Sequence, residues 1–229
     1  DKVITVIEEA KDRIINLGVH SKNTIVVSNT IDLESFSLIE NPKKLDGFSM
    51  LYSGGVNEHR GLQIVIQALK ILKSSGYNIN LLIVGGGNYM PSLKRLANSL
   101  DVQEQLIDYG WTSYQAMMQM IVSAQILIIP HLKSAHTDAT IPNKLFQYMF
   151  AQKPLLVSDC VPLKRIVNSE NAGIVYENTN PKDLAEKIKL IYDDYDHHLK
   201  SSVKNKNLVK TKYNWSIESQ KLDSLYSSL

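Results

Sequence analysis

Apolar residues fall into two rhythms along this chain, and the rhythms alternate. Short, mainly apolar runs without regular polar alternation read as strands: VITVI (3–7), NTIVVSN (23–29), FSMLYSGG (48–55), INLLIVGGG (79–87), QLIDYG (105–110), QILIIP (125–130), PLLVSD (154–159) and GIVY (173–176). Between them, apolar residues recur at the spacing of a helix face. Those stretches are 8–17, 61–74, 90–100, 113–123, about 142–152, 161–168, 181–195, 197–210 and 216–228. In the second, Leu62, Val65, Ile66, Leu69 and Leu72 form the apolar stripe. Residues 32–47 carry Asn41-Pro42 and several charges, break the alternation and read as a linker.

Strands with no polar alternation are buried on both faces. When each is followed by a helix, they predict a parallel sheet covered on both sides, a doubly wound α/β fold. Ligands of such folds bind beyond the carboxyl ends of the strands. That places the informative residues in the loops after strands: Gly54, Gly55 and Arg60; Gly85, Gly86 and Gly87; Gly110 to Thr112; the loop 131–141; and Asp159-Cys160.

Each loop admits a chemical reading and a plain one. In YSGGVNEHRGL (52–62), glycines let the backbone approach a ligand and Arg60 suits phosphate; a turn with a solvated arginine is the plain reading. VGGGNYM (84–90) has a G-x-G, Gly85 and Gly87, without the third glycine of the dinucleotide fingerprint, and a tight turn also explains it. HLKSAHTDATIPNK (131–144) is the longest polar loop, with His131 and His136 five apart and neither Cys nor Glu beside them, which argues against zinc. On the helix that follows, Lys144, Gln147 and Ala151 share one stripe, while Leu145, Met149 and Tyr148 form the buried face. Pro142 suits its first turn, with Thr140 or Asn143 as cap.

Composition narrows the partners. Of 229 residues, 25 are Lys or Arg and 23 Asp or Glu, a balance that argues against nucleic acid. The one cysteine, Cys160, excludes an intrachain disulfide and suits a reducing, cytoplasmic compartment, where it fills space near a strand end. No apolar run reaches a membrane-spanning length, and no signal peptide is visible. Lysines 200, 204, 206, 210 and 212 read as a solvated helix face, or else as a peripheral contact with the anionic inner face of a membrane. The chain starts at Asp1 within a strand-like run, and a piece of a longer protein is expected.

The ordered set VVSNTID (26–32), YSGGVNEHRGLQIVIQAL (52–69), LLIVGGG (81–87), IPNKLFQYMFAQKPLLVSD (141–159), NAGIVYENTNPKDLAEKI (171–188) and YNWSIESQKLDSLY (213–226) covers nearly the whole chain. It resembles the C-terminal, donor-binding domain of the group 1 (family 4) retaining glycosyltransferases. The resemblance implies the Rossmann-like half of a GT-B fold. It implies transfer of a sugar, with retention, from a nucleotide-diphosphate sugar to a glycan or lipid-linked acceptor in polysaccharide biosynthesis. The resemblance implies no cofactor and no metal. Residues 1–32 would be the last strand–helix–strand of an N-terminal acceptor domain, 33–47 the linker, 48–212 the donor domain, and 213–229 a helix crossing back.

The resemblance assigns roles by position. Arg60 takes the donor diphosphate. Gln147 stands where the second glutamate of the family's pair holds the ribose, and Ala139 where the first belongs, with Asp138 beside it. His136, Thr137, Asp138, Ala139 and Thr140 would offer backbone N–H groups to sugar and phosphate. Gly54, Gly55, Gly85 and Gly87 would allow close backbone approach, Gly110 and Trp111 would line the base, and Lys144 would pair with phosphate. No catalytic residue is assigned. The missing glutamates, and Gly55 where an arginine often stands, keep an alternative open: a non-catalytic nucleotide-sugar-binding domain. An unrelated receiver-type domain would want clustered acids after its first strand, and YSGGVNEHRG has none clustered.

Overall fold

The computed structural model describes residues 1–34 and 42–227. The expected linker therefore falls partly outside the described residues, as does the last residue of the expected final helix. The chain opens with β1 (Val3–Thr5), α1 (Glu8–Asn16) and β2 (Thr24–Val26), where β1 and β2 pair in parallel as a separate two-stranded sheet. Six further strands follow: β3 (Phe48–Ser53), β4 (Ile79–Val84), β5 (Leu106–Gly110), β6 (Ile126–Ile129), β7 (Leu155–Ser158) and β8 (Ile174–Tyr176). Between them run α2 (Leu62–Ser74), α3 (Met90–Ser99), α4 (Tyr114–Ser123), α5 (Lys144–Phe150) and α6 (Val161–Glu170). The chain closes with α7 (Pro181–Asp193), α8 (Tyr195–Ser202), α9 (Asn205–Thr211) and α10 (Trp215–Ser227).

All six strands pair in parallel, in the order β5-β4-β3-β6-β7-β8. This is the doubly wound sheet that the apolar rhythm predicts. Successive strand residues point to opposite faces, and the two cores record it. Leu51, Leu82, Leu127 and Leu155 face the layer of α4, α5 and α6, while Met50, Leu81, Ile126 and Leu156 face that of α2, α3 and α7. All five residues of the α2 stripe are buried. Each such Leu or Ile contributes about 1.5–3 kcal/mol on burial.

The chain leaves β3 towards β4 and leaves β6 towards β7, so their carboxyl ends flank the point where strand order reverses. That divergence opens a crevice.

Two expectations about helices need correction. The helix expected over 142–152 spans only Lys144–Phe150, so Pro142 precedes it, and neither Asn143 nor Thr140 caps it. The Thr140 hydroxyl instead donates to the His136 carbonyl. The helix expected over 197–210 is two helices. At the break, the Gln152 amide donates to the Val203 carbonyl (3.0 Å), and buried Asn205 donates to the Ala172 carbonyl (2.7 Å). Tertiary hydrogen bonds thus replace the helical ladder.

Candidate functional site

The loops after β3, β4 and β5 are laced edge to edge. Gly54 N–H donates to the Val84 carbonyl, Val56 N–H to Gly86, and Gly85 N–H to Gly110, at 2.7–3.0 Å. A Cβ on Gly85 would stand 2.1 Å from the Gly54 carbonyl oxygen, and one on Gly87 2.1 Å from that of Val56. Both glycines are thus required by backbone packing between loops. Trp111 packs its indole edge against Gly86, yet remains 76% exposed at the rim.

Arg60 ends a short 3₁₀ turn (Glu58–Arg60) just before α2, rather than starting the helix. The turn is pressed onto the segment leaving β6. Leu132 N–H donates to the His59 carbonyl (2.9 Å). Gly61, at φ 73°, lies so close that a Cβ would stand 1.8 Å from the Pro130 carbonyl oxygen. This brings the Arg60 guanidinium within 3.1 Å of His131 Nε2 and 3.5 Å of Nδ1. The Arg60 Nε is buried without a partner.

Lys144 comes from the first turn of α5. Its neighbour Tyr148 is buried, accepts from Ser53 N–H (2.8 Å) and meets Ser53 Oγ (3.0 Å), which ties α5 to the end of β3. Burial pushes the Tyr148 phenol up to about 12. The Lys144 ammonium donates to the Ser53 carbonyl (2.5 Å) and stands 3.9 Å above the Tyr52 ring, beside Gly54. The residue as a whole is half-buried, but its ammonium lies in dense surroundings.

These groups are cations or potential cations without an acid to answer them. Burial, then Arg60, pushes the Lys144 pKa well below the usual lysine value. Burial, then Lys144, Arg60, His59 and His136, pushes the His131 imidazole well below its usual value. His59 is lowered by burial, Arg60 and His136 in turn, and its ring lies 6.5 Å from that of His136. No carboxylate contributes to any of the three. A corner of buried donors with no counter-charge is disposed to receive an anion.

The loop 136–140 departs from expectation. Thr137 N–H donates to Ser134 Oγ, Asp138 N–H to the Ser134 carbonyl, and Ala139 N–H to the His136 carbonyl. The Asp138 carboxylate accepts from Val161 N–H (2.9 Å), the first N–H of α6, where Cys160 supplies no cap. Most of the amides expected to face a ligand are therefore spent within the loop. On α5, Gln147 is half-buried one turn beyond Lys144, while Ala151 is buried rather than part of a polar stripe. Leu145, Tyr148 and Met149 are buried as expected. His131 belongs to the loop expected to be informative, but no role at the site is assigned to it from the sequence. Its position, immediately after the β6 proline, was the available signal.

Among the described residues, no three or more His, Cys, Asp or Glu side chains gather to hold a metal ion, and no helix is long and apolar enough to cross a membrane.

The family model for glycosyl transferases group 1 matches residues 36–214. The capsular polysaccharide biosynthesis glycosyltransferase CapM of Staphylococcus aureus is 24% identical over 249 residues, covering 99% of this chain and 61% of that protein. A glycosyltransferase crystal structure from Rickettsia africae superposes with a TM-score of 0.87 at 15% identity, covering 100% of this chain and 63% of that one. Anabaena Alr3699/HepE, solved in complex with UDP, superposes at 0.85 with 14% identity, covering 100% and 64%. The chain thus spans less than two thirds of the length of each of these three proteins.

Proposed function

The chain belongs to the group 1 glycosyltransferases, and on that premise we propose that it forms the donor-binding part of a retaining, family 4 enzyme. This enzyme moves a sugar from a nucleotide-diphosphate sugar to a glycan or lipid-linked acceptor. The observation that carries the proposal is the acid-free corner made by Arg60, His131 and Lys144 at the carboxyl ends of β3 and β6.

In the reaction, the bond from the anomeric carbon to the diphosphate oxygen breaks, and its electron pair leaves with the phosphate. The acceptor oxygen forms the new bond and releases its proton. Charge grows on the departing diphosphate, so fixed donors aimed there accelerate the step. Arg60 offers its unpartnered Nε and remaining guanidinium donors; Lys144 offers its ammonium. We assign the neutralisation of the diphosphate to these protein cations and not to a metal ion. We assign the ribose to half-buried Gln147, which can hydrogen-bond it without charge, and the base to exposed Trp111. UDP is the first candidate, since a structural relative was solved with it.

The proposed organisation has two lobes. Residues 1–32 and 213–229 belong to one, 48–212 to the donor lobe, and 33–47 join them. Support comes from the separate β1–β2 sheet and from the contacts of the segment after β2 with α10: Ser28 N–H donates to Glu218 (2.8 Å) and Trp215 N–H to the Ile31 carbonyl (2.8 Å).

The test is thermal unfolding with millimolar UDP, GDP, ADP and CMP in turn. A nucleotide at about 100 times its dissociation constant adds ~2.7 kcal/mol, a rise of a few degrees. One nucleotide should raise the midpoint, and Arg60→Ala should remove the rise. Four flat responses would refute the donor-site reading of this chain.

A further inference from the structure

A hydrogen bond in the plane of an imidazole, aimed at one ring nitrogen, leaves the other a ring's width further away. The Arg60 guanidinium nitrogen is nearly equidistant from both, at 3.1 and 3.5 Å. That nitrogen therefore lies over the face of the His131 ring and directs its N–H towards it.

The ring beneath is a fixed support. His131 is 3% exposed. Its carbonyl oxygen accepts from Ser158 Oγ (2.7 Å), Asn178 Nδ2 (2.7 Å) and the Cys160 thiol (3.4 Å). Three side chains from β7, the β7–α6 junction and the β8–α7 loop thus converge on one carbonyl. The basic groups around the ring are Lys144 on α5, His59 and Arg60 in the turn after β3, and His136 in the loop after β6. All of them favour the neutral imidazole, the form on which a guanidinium can rest without repulsion.

We propose that His131 is a positioning residue for Arg60: its imidazole face is the platform that holds the guanidinium, with its unpartnered Nε, at the anion corner. Binding of a nucleoside diphosphate at that corner rests on the function proposed above; the platform itself does not. A flexible arginine loses side-chain entropy when it grips an anion, and one already held against the ring loses less. His131 thus acts on affinity through Arg60, without touching the ligand.

Two measurements test this. The first uses the ligand-free chain labelled with ¹⁵N, where the Arg60 Nε–H resonance should exchange slowly with water. His131→Asn, similar in polarity but without a ring, should speed that exchange, and His131→Phe, which restores a flat face, should slow it again. The second is a nucleotide titration, with UDP first, in a double-mutant cycle. His131→Asn should weaken binding ~10-fold with Arg60 present. In an Arg60→Lys background, where no planar group rests on the ring, the same change should cost less than ~2-fold. General damage to the fold would appear in both backgrounds. Equal losses in the two, or exchange at Arg60 indifferent to residue 131, would overturn the platform. Protected exchange without binding of any nucleotide would leave the platform standing and overturn the donor-site reading.

Discussion

Two loops leave the sheet on either side of its switch point, and they spend their polar groups in opposite ways. The loop after β3 is sparse in chemistry: two glycines, then Glu58, His59 and Arg60. Yet its arginine keeps a buried donor unpartnered and lies over a neighbouring ring. The loop after β6 is crowded with His, Ser, Thr and Asp. Much of that chemistry is spent on the fold itself, with Thr137 bonded to the Leu132 carbonyl and Ser134, and Asp138 committed to α6, while His136 stays exposed. Its one buried ring, His131, works underneath the other loop's arginine. Polar richness in a loop is therefore a poor guide to ligand contact. The better guide is a buried donor whose partner is absent from the fold.

The comparison can be broken most violently at the seam between the loops. Gly61→Ala demands a left-handed conformation of a non-glycine residue and forces a Cβ onto the Pro130 carbonyl. A loss of about 3 kcal/mol in denaturant unfolding is expected. A loss under about 1 kcal/mol, the glycine-to-alanine cost without a clash, would show that the seam is loose. Next comes Arg60→Ala, expected to remove about 2 kcal/mol of nucleotide affinity, the worth of a charged hydrogen bond, while leaving unfolding nearly unchanged. Lys144→Met should split the two quantities. It removes a buried, acid-free ammonium, so stability rises by about 1 kcal/mol as nucleotide affinity falls. If both fell, Lys144 would be a structural strut. On the other loop, Asp138→Ala should cost about 1 kcal/mol of stability through the lost cap to α6, with affinity untouched. A drop in affinity there would return that loop to the site.

How much of this was legible beforehand differs between fold and site. The parallel sheet was readable because strands buried on both faces carry unbroken apolar runs, as LLIV (81–84) and ILII (126–129) do. That Gly54 and Arg60 follow a strand end was readable because the fold dictates where strands end, while Lys144 came from the polar stripe of its helix. What failed was everything decided by contacts distant in sequence. The break between α8 and α9 depends on Gln152 and Ala172, and nothing within 197–210 announces it. His131 looked like one of several loop polar residues. Its partners there are Ser158, Asn178 and Arg60, 27 to 71 positions away, further along the chain than any local pattern reaches. The loop amides were expected to face a ligand because only the fold shows that Ser134 already uses them.

The smallest effect is a titration. The His131 pKa is depressed in the folded protein, by burial first and then by Lys144, Arg60, His59 and His136. The unfolded chain binds a proton near the ordinary histidine value of about 6.5, while the folded chain resists it. Between those two values the unfolded state carries more protons, so stability rises with pH. It is complete above about 6.5 and falls as acid drives pH down through the depressed value. His59 and His198 are also lowered and contribute to the same slope. The thermal midpoint should therefore fall between pH 7.5 and 5.5, and His131→Phe, which cannot titrate, should shed part of that fall. A bound nucleotide should shed part of it too, because its phosphates offset the cations that keep the imidazole neutral. Identical slopes in the native and His131→Phe chains would mean that the ring is not the buried neutral base that the crowd of cations around it requires.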